Sequence, residues 1–183
     1  KIPLSKRPRL KDNNWSNYCN KISEIAKRLS DIGLPMSYHE HMGTIIQSEQ
    51  DIYRLLDNTD DKTSLLFDTG HIFFAEGDYE SILKKYVSRV NHVHCKDIRK
   101  EILNKSLLND LSFRDSFLEG VFTVPGDGHI NYKPLFETLY DNKYSKWLIV
   151  EAEQDPKKAN PLKYAKIGYK YLNKILTEVG YKI

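Results

Sequence analysis

Val90-Asn-His-Val-His-Cys-Lys-Asp97 is the stretch on which the fold turns. It is a short apolar run, too brief for a helix, that ends in histidines, a lysine and an aspartate. Three more runs of the same kind stand on either side of it: Gly33-Leu-Pro-Met-Ser-Tyr-His39, Ser64-Leu-Leu-Phe-Asp68 and Lys146-Trp-Leu-Ile-Val-Glu151. Each is short, apolar on both sides and followed at once by polar residues. Such runs suit parallel strands covered on both faces.

Helical patterns separate them. Residues 15–32 place Ile22, Ile25, Ala26, Leu29 and Ile32 at helical spacing, with Gly33 as a stop. Ser48-Glu-Gln-Asp51 resembles a capping box ahead of Ile52, Leu55 and Leu56. Asp78 is placed to cap a helix holding Ile82, Leu83, Tyr86 and Val87, and Pro134 suits the first turn of a helix through Leu139. Asn160-Pro161 opens a long amphipathic helix reaching about Val179, stopped by Gly180. Strand starts recur roughly every 30 residues in the first part, the length of a βα unit. The alternation predicts an α/β fold with a parallel sheet and outer helices. Residues 98–130 break the rhythm, and their aromatics and turn residues predict an ordered active-site lid.

The chain has 183 residues, enough for a single domain over 1–183. Four strands cannot close an eight-stranded barrel, which takes about 250 residues. The expectation is therefore the C-terminal part of a (β/α)8 TIM barrel, an incomplete barrel lacking the N-terminal βα units. A start without Met, inside a loop, agrees with that. Hydrophobic residues at 40% and charged ones at 29% are ordinary for a globular protein. The net charge of +3 is small and argues neither for nor against an acidic partner; the run Lys1–Leu10 reads as a surface loop, and no nucleic acid or membrane partner is expected. No apolar run approaches the roughly 20 residues of a membrane span. Two cysteines, Cys19 and Cys95, form no disulfide framework, which points to a reducing cytoplasm.

The chemistry collects at the strand ends. All six histidines lie at or just after an expected strand end or in the 98–130 loop, none in an expected helix. Side chains two apart on a strand share a face, which pairs His39 with His41, His92 with His94 and Glu151 with Glu153. In an α/β barrel the C-terminal strand ends converge on one cavity. Imidazoles and carboxylates gathered there make a mixed N/O site suited to Mn, Co, Zn, Fe or Mg. Burying so many titratable groups without a cation would cost several kcal/mol. Lys96 shares the parity of His94 and reaches the same cavity as a charge clamp or an acid/base. Gly126-Asp-Gly128 is too short to be a phosphate loop.

These residues carry a resemblance. Tyr38-His-Glu-His-Met-Gly-Thr44, Phe67-Asp-Thr-Gly-His71, His92-Val-His-Cys-Lys-Asp97, Phe122-Thr-Val-Pro-Gly-Asp-Gly128 and Val150-Glu-Ala-Glu-Gln-Asp-Pro156 with Ala159-Asn-Pro161 resemble the inosose dehydratase family of inositol catabolism. That family lies within the xylose-isomerase-like barrel superfamily. The resemblance implies a metal-dependent hydro-lyase that removes water from 2-keto-myo-inositol to give a trihydroxycyclohexanedione. It also implies a divalent metal, Mn or Co, and a glutathione association. In the superfamily four strands supply Glu, Asp, His and Glu. Carried across, Asp68, His94 and Glu151 match the last three. The first position departs from the pattern and holds His39. Glu40 has the opposite parity and turns inward only through a one-residue bulge, so both stay open, with His39 the expected ligand.

The metal set expected is therefore His39, Asp68, His94 and Glu151, and the proton-transfer set His41, His71, Lys96 and Glu153, with His41 and His71 foremost. The substrate is a small polyol ketone, and a homo-oligomer stays open. A sugar-ketone isomerase or epimerase on the same barrel would retain the water. An apurinic-site endonuclease would need a multi-zinc cluster and a basic face. An inactive metal-binding fragment would gain activity only when the N-terminal part is added.

Overall fold

All 183 residues are described by a computed structural model of the chain. The elements are α1 (Trp15–Asp31), β1 (Ser37–His39), α2 (Glu49–Asp57), β2 (Ser64–Asp68), α3 (Thr69–Phe74), α4 (Tyr79–Tyr86), β3 (Val90–Cys95), β4 (Asp97–Ile98), α5 (Lys100–Leu108), α6 (Phe113–Glu119), β5 (Phe122–Thr123), α7 (Tyr132–Asp141), β6 (Leu148–Val150) and α8 (Pro161–Val179). The four expected strands are all present and all parallel, in the order β1-β2-β3-β6. The first and last are shorter than expected. Gly33 and Pro35 hold the chain out of the ladder before Ser37, and Glu151 lies one residue past β6. β1 and β6 are the sheet's two edges, and Trp147 beside β6 is 72% exposed.

The two faces of the sheet differ. Leu65, Phe67, Val93 and Cys95 point outward and are buried under the helices with Ile52, Leu55, Leu56, Ile82 and Leu83. The other face carries Leu66, Asp68, His92 and His94. The helix side is thus apolar, whereas the other face mixes Leu66 and Ile149 with Asp68, His92 and His94, which corrects the reading of two equally apolar faces. Burial of the outer face drives the fold, at about 1.5–3 kcal/mol for each large aliphatic or aromatic side chain.

Helix ends follow the residues that mark them. Ser48 accepts from the Asp51 amide while the Asp51 carboxylate accepts from the Ser48 amide, a complete capping box. Asp78 and Asn160 cap α4 and α8, and Gly180 closes α8 with φ of 115°.

The segment 98–130 is more regular than expected. It holds α5, α6 and a two-stranded antiparallel ribbon of β4 and β5. Its helices are short and their apolar spacing weak, so periodicity does not announce them. Asp97 pins the turn that follows, its carboxylate accepting from the backbone amides of Gly126, His129 and Ile130. Phe113 and Phe122 from this segment wall one side of the strand-end cavity.

Candidate metal centre and proton-transfer group

Register and parity bring the ligand candidates together. His39 pairs with Leu66 in the ladder, and Leu66 shares its face with Asp68 two residues on. Asp68 pairs with His94, His94 with Ile149, and Glu151 stands two residues past Ile149. Residues spread over more than a hundred positions therefore share one face at one end of the sheet. One donor atom from each of His39, Asp68, His94 and Glu151 lies within 4.8 Å of every other. Glu40 has the opposite parity and is fully buried on the other side, where its Oε1 accepts from the Asp68 amide. No bulge turns it inward, so His39 is the first-strand residue in the group.

Asp68 does two things at once. Its Oδ1 accepts from the amides of Gly70 and His71 at 2.9 and 3.0 Å and so caps α3. Its Oδ2 faces the cavity, 3.3 Å from His94 Nδ1 and 3.8 Å from His39 Nε2. His94 Nδ1 also stands 2.8 Å from Glu151 Oε2. Yet Asp68 Oδ2, His94 Nδ1 and Glu151 Oε2 are buried and make no oriented hydrogen bond. Atoms that are close, buried and aimed past one another converge on a common point. A tetrahedral site with bonds of about 2.1 Å needs ligand atoms about 3.4 Å apart. Two imidazoles and two carboxylates at these distances fit a divalent cation.

A second group adjoins the first. His41, His71 and Glu153 also offer donor atoms within 4.8 Å of one another. His41 follows the end of β1, in a turn closed by its amide donating to Ile46 O. Its Nδ1–H donates to the Met42 carbonyl at 2.8 Å, which leaves Nε2 free, 3.6 Å from Glu153 Oε1. Glu153 was expected to share a strand face with Glu151, but β6 ends before both. What turns its carboxylate inward is a backbone φ of 37°, a left-handed conformation that costs a non-glycine residue about 1–3 kcal/mol. His71 was expected outside any helix. It lies in the first turn of α3, its side chain 1% exposed. The two histidines outside both expected sets stay apart from the groups: His92 lies beside the ring of His94, and His129 beside Lys100 and Phe73.

Lys96 sits between the groups with no solvent exposure. Its Nζ is 2.9 Å from His71 Nε2 and 3.0, 3.1 and 3.2 Å from carboxylate oxygens of Glu151, Glu153 and Asp68. Thr69 Oγ1 donates to the Lys96 carbonyl and accepts from its amide, and it also bonds the Tyr132 hydroxyl. Sequence reading missed Thr69, Tyr132, Phe113 and Gly70 as supports. The one signal was the glycine, since a Cβ at Gly70 would lie 2.6 Å from Lys96 Cγ.

The charges respond accordingly. Burial disfavours a charged His94, yet the neighbouring Asp68 and Glu151 carboxylates push it up to about 9. Burial wins at His71, pushed down to about 3, and lowers His39 too. Burial also opposes charge at Glu153, but His41 and Lys96 hold it at about 2. His41 is raised, the Glu153 carboxylate and Met42 carbonyl outweighing its desolvation. At Glu40, burial and the Asp68 charge both push the carboxyl well above its usual range.

A family model described as the xylose isomerase-like TIM barrel matches residues 2–175, and the chain belongs to that family. Within it, the chain is similar to the rhizopine catabolism protein MocC of Rhizobium meliloti, at 42% identity over 99% of this chain and 56% of that protein. It is also similar to inosose dehydratases, with 44% identity to that of Salmonella typhimurium over 96% of this chain and 59% of the relative. For that of Bacillus velezensis the figures are 42%, 96% and 59%. The chain thus spans between 56% and 59% of the length of these three relatives. Among solved structures, the IOLI protein with a zinc atom superposes at a TM-score of 0.71 and 14% identity, covering 97% of this chain and 61% of that one. The probable 3-DHS dehydratase AsbF of Bacillus anthracis gives 0.69 and 16%, covering 90% and 58%. These two likenesses speak for the fold. No helix is long and apolar enough to cross a membrane, and both cysteines are free.

Proposed function

We propose that this chain carries the metal centre and proton-transfer group of an inosose dehydratase, a hydro-lyase acting on 2-keto-myo-inositol in inositol catabolism. The observation that carries the reading is the convergence of His39, Asp68, His94 and Glu151 with His41, His71 and Glu153 directly beside them. Relatives named inosose dehydratase, at 40–44% identity, support this chemistry among those the barrel hosts.

The four ligands suit Mn or Co, whose affinities in a mixed N/O set differ by degree rather than kind. Bound there, a divalent cation supplies Lewis-acid polarisation of the ketone. The chain's own residues move the proton. His41, with a side chain 29% exposed, is open to a substrate in the cavity. In its neutral form the ring keeps Nδ1–H on the Met42 carbonyl, and Nε2 can then take the carbon-bound proton beside the ketone. The Glu153 carboxylate then faces the new imidazolium. The proton passes to the hydroxyl β to the ketone, which departs as water. Buried His71 holds Lys96 in place and is the less accessible of the two histidines. Phe113, whose ring lies 5.2 Å from that of His41, gives the polyol ring an apolar wall. The glutathione association stays with the family resemblance, and no side chain is assigned to it. Two free, buried cysteines support a reducing cytoplasm as the setting.

The test is product analysis of 2-keto-myo-inositol incubated with the protein and Mn²⁺ or Co²⁺. Loss of water yields a diketone with new ultraviolet absorption, abolished by a chelator. Recovery of an isomeric polyol ketone with its water retained would replace this reading by the isomerase one.

A further inference from the structure

The two donor groups together have the shape of a two-cation site, but one of the positions already holds a charge. We propose that the buried Lys96 ammonium is a resident cation that fills the second position and limits the chain to one divalent ion. The inference rests on the metal centre proposed above.

Three observations carry it. First, the Lys96 Nζ touches donor atoms of both groups: His71 Nε2 at 2.9 Å and Glu153 Oε2 at 3.1 Å in the second, Glu151 Oε2 at 3.0 Å and Asp68 Oδ2 at 3.2 Å in the first. A divalent ion at the second group would compete with the ammonium for His71 Nε2 and for the Glu153 carboxylate, whose Oε2 the ammonium already holds. Second, Lys96 has no room to leave. It is 0% exposed, Gly70 presses on its stem where any Cβ would collide, and Nζ stands 5.0 Å over the Phe122 ring. Its backbone is tied on both sides to Thr69. Third, the charges balance with one ion. With His94 neutral as a metal ligand, the carboxylates of Asp68, Glu151 and Glu153 face a single ammonium, an excess of two negative charges that one divalent cation cancels. A second divalent ion would leave a large positive excess around a buried lysine, which costs several kcal/mol at low dielectric.

Replacing the ammonium by a neutral side chain should therefore open the second position to an ion held by His41, His71 and Glu153. The experiment is Co²⁺ titration of the 183-residue chain, read by metal content after gel filtration and by visible absorption. The wild-type chain and Lys96→Arg should each hold one Co²⁺. Lys96→Met and Lys96→Gln should hold two, and Lys96→Met with Glu153→Gln should return to one. Far-ultraviolet circular dichroism checks that each variant is folded. One Co²⁺ in wild type and in the folded neutral variants would overturn this inference alone, as would two in wild type. Neutral variants that stay unfolded with two equivalents of Co²⁺ would overturn it as well. No Co²⁺ bound to wild type would overturn the metal centre itself, and this inference with it.

Discussion

Glu151 stands one residue beyond β6, where its amide still donates to the Cys95 carbonyl at 3.4 Å, and its Oε2 lies among His94 and Lys96. Backbone pairing with β3 places the residue, and its charge meets His94 and Lys96 in the cavity. Removing that charge while keeping the shape isolates its role. Glu151→Gln should lower affinity for Mn²⁺ by more than about 100-fold, beyond the 10–100-fold losses seen for partners that merely orient ligands. Calorimetric titration reads the affinity, and turnover should fall in step with it. Retained metal with full turnover would count against Glu151 as a ligand. Asp68 is the contrasting residue. Because Oδ1 caps α3 while Oδ2 faces the cavity, any substitution there mixes a folding effect with a binding effect.

The elements that hold the site are short, and their ends are set by capping. Ser48→Ala should cost about 1 kcal/mol of unfolding free energy, measured by urea titration, because it leaves the Asp51 amide without its acceptor. Asp51 also makes a part-buried ion pair with Arg7 at 2.6 Å, which ties the N-terminal loop to α2. Burial opposes its charge, but the Ser48 and Gln47 donors and Arg7 outweigh that and lower its pKa. A carboxylate whose folded pKa is depressed binds fewer protons folded than unfolded. Its contribution is complete above the unfolded value, about 3.9, and is lost as pH falls toward the folded one. Asp51→Asn should thus destabilise the protein at pH 7 and flatten the loss of stability below about pH 4. Parallel urea titrations from pH 2 to 7 check this; an unchanged slope would remove Asp51 from the acid transition.

For the whole molecule, the buried carboxylates are an electrostatic burden that a bound divalent cation would relieve. A ligand that binds only the folded state stabilises it by about 2.7 kcal/mol at 100 times its Kd. For a chain of this size that is a rise in Tm of about 5–11 °C. Differential scanning fluorimetry with Mn²⁺, reversed by a chelator, reads it directly. An unchanged Tm at saturating metal would mean that the donor group holds no ion.

How much of this was legible beforehand varies with the range of the forces involved. The four strands, the long helices and their caps could be read from the residues, because apolar periodicity and capping are local. So could the gathering of His39, Asp68, His94 and Glu151, since parity within a strand and convergence of strand ends are general to α/β barrels. The helices α3, α5 and α6 escaped, being too short to show a period. The choice between His39 and Glu40 needed the register, which places Glu40 behind the Asp68 amide. The inward turn of Glu153 needed a backbone conformation that no residue type signals. The bridging position of Lys96 needed contacts with residues up to 57 positions away. Local patterns are written along the chain, whereas the charge balance of a buried site exists only once distant segments share one low-dielectric space.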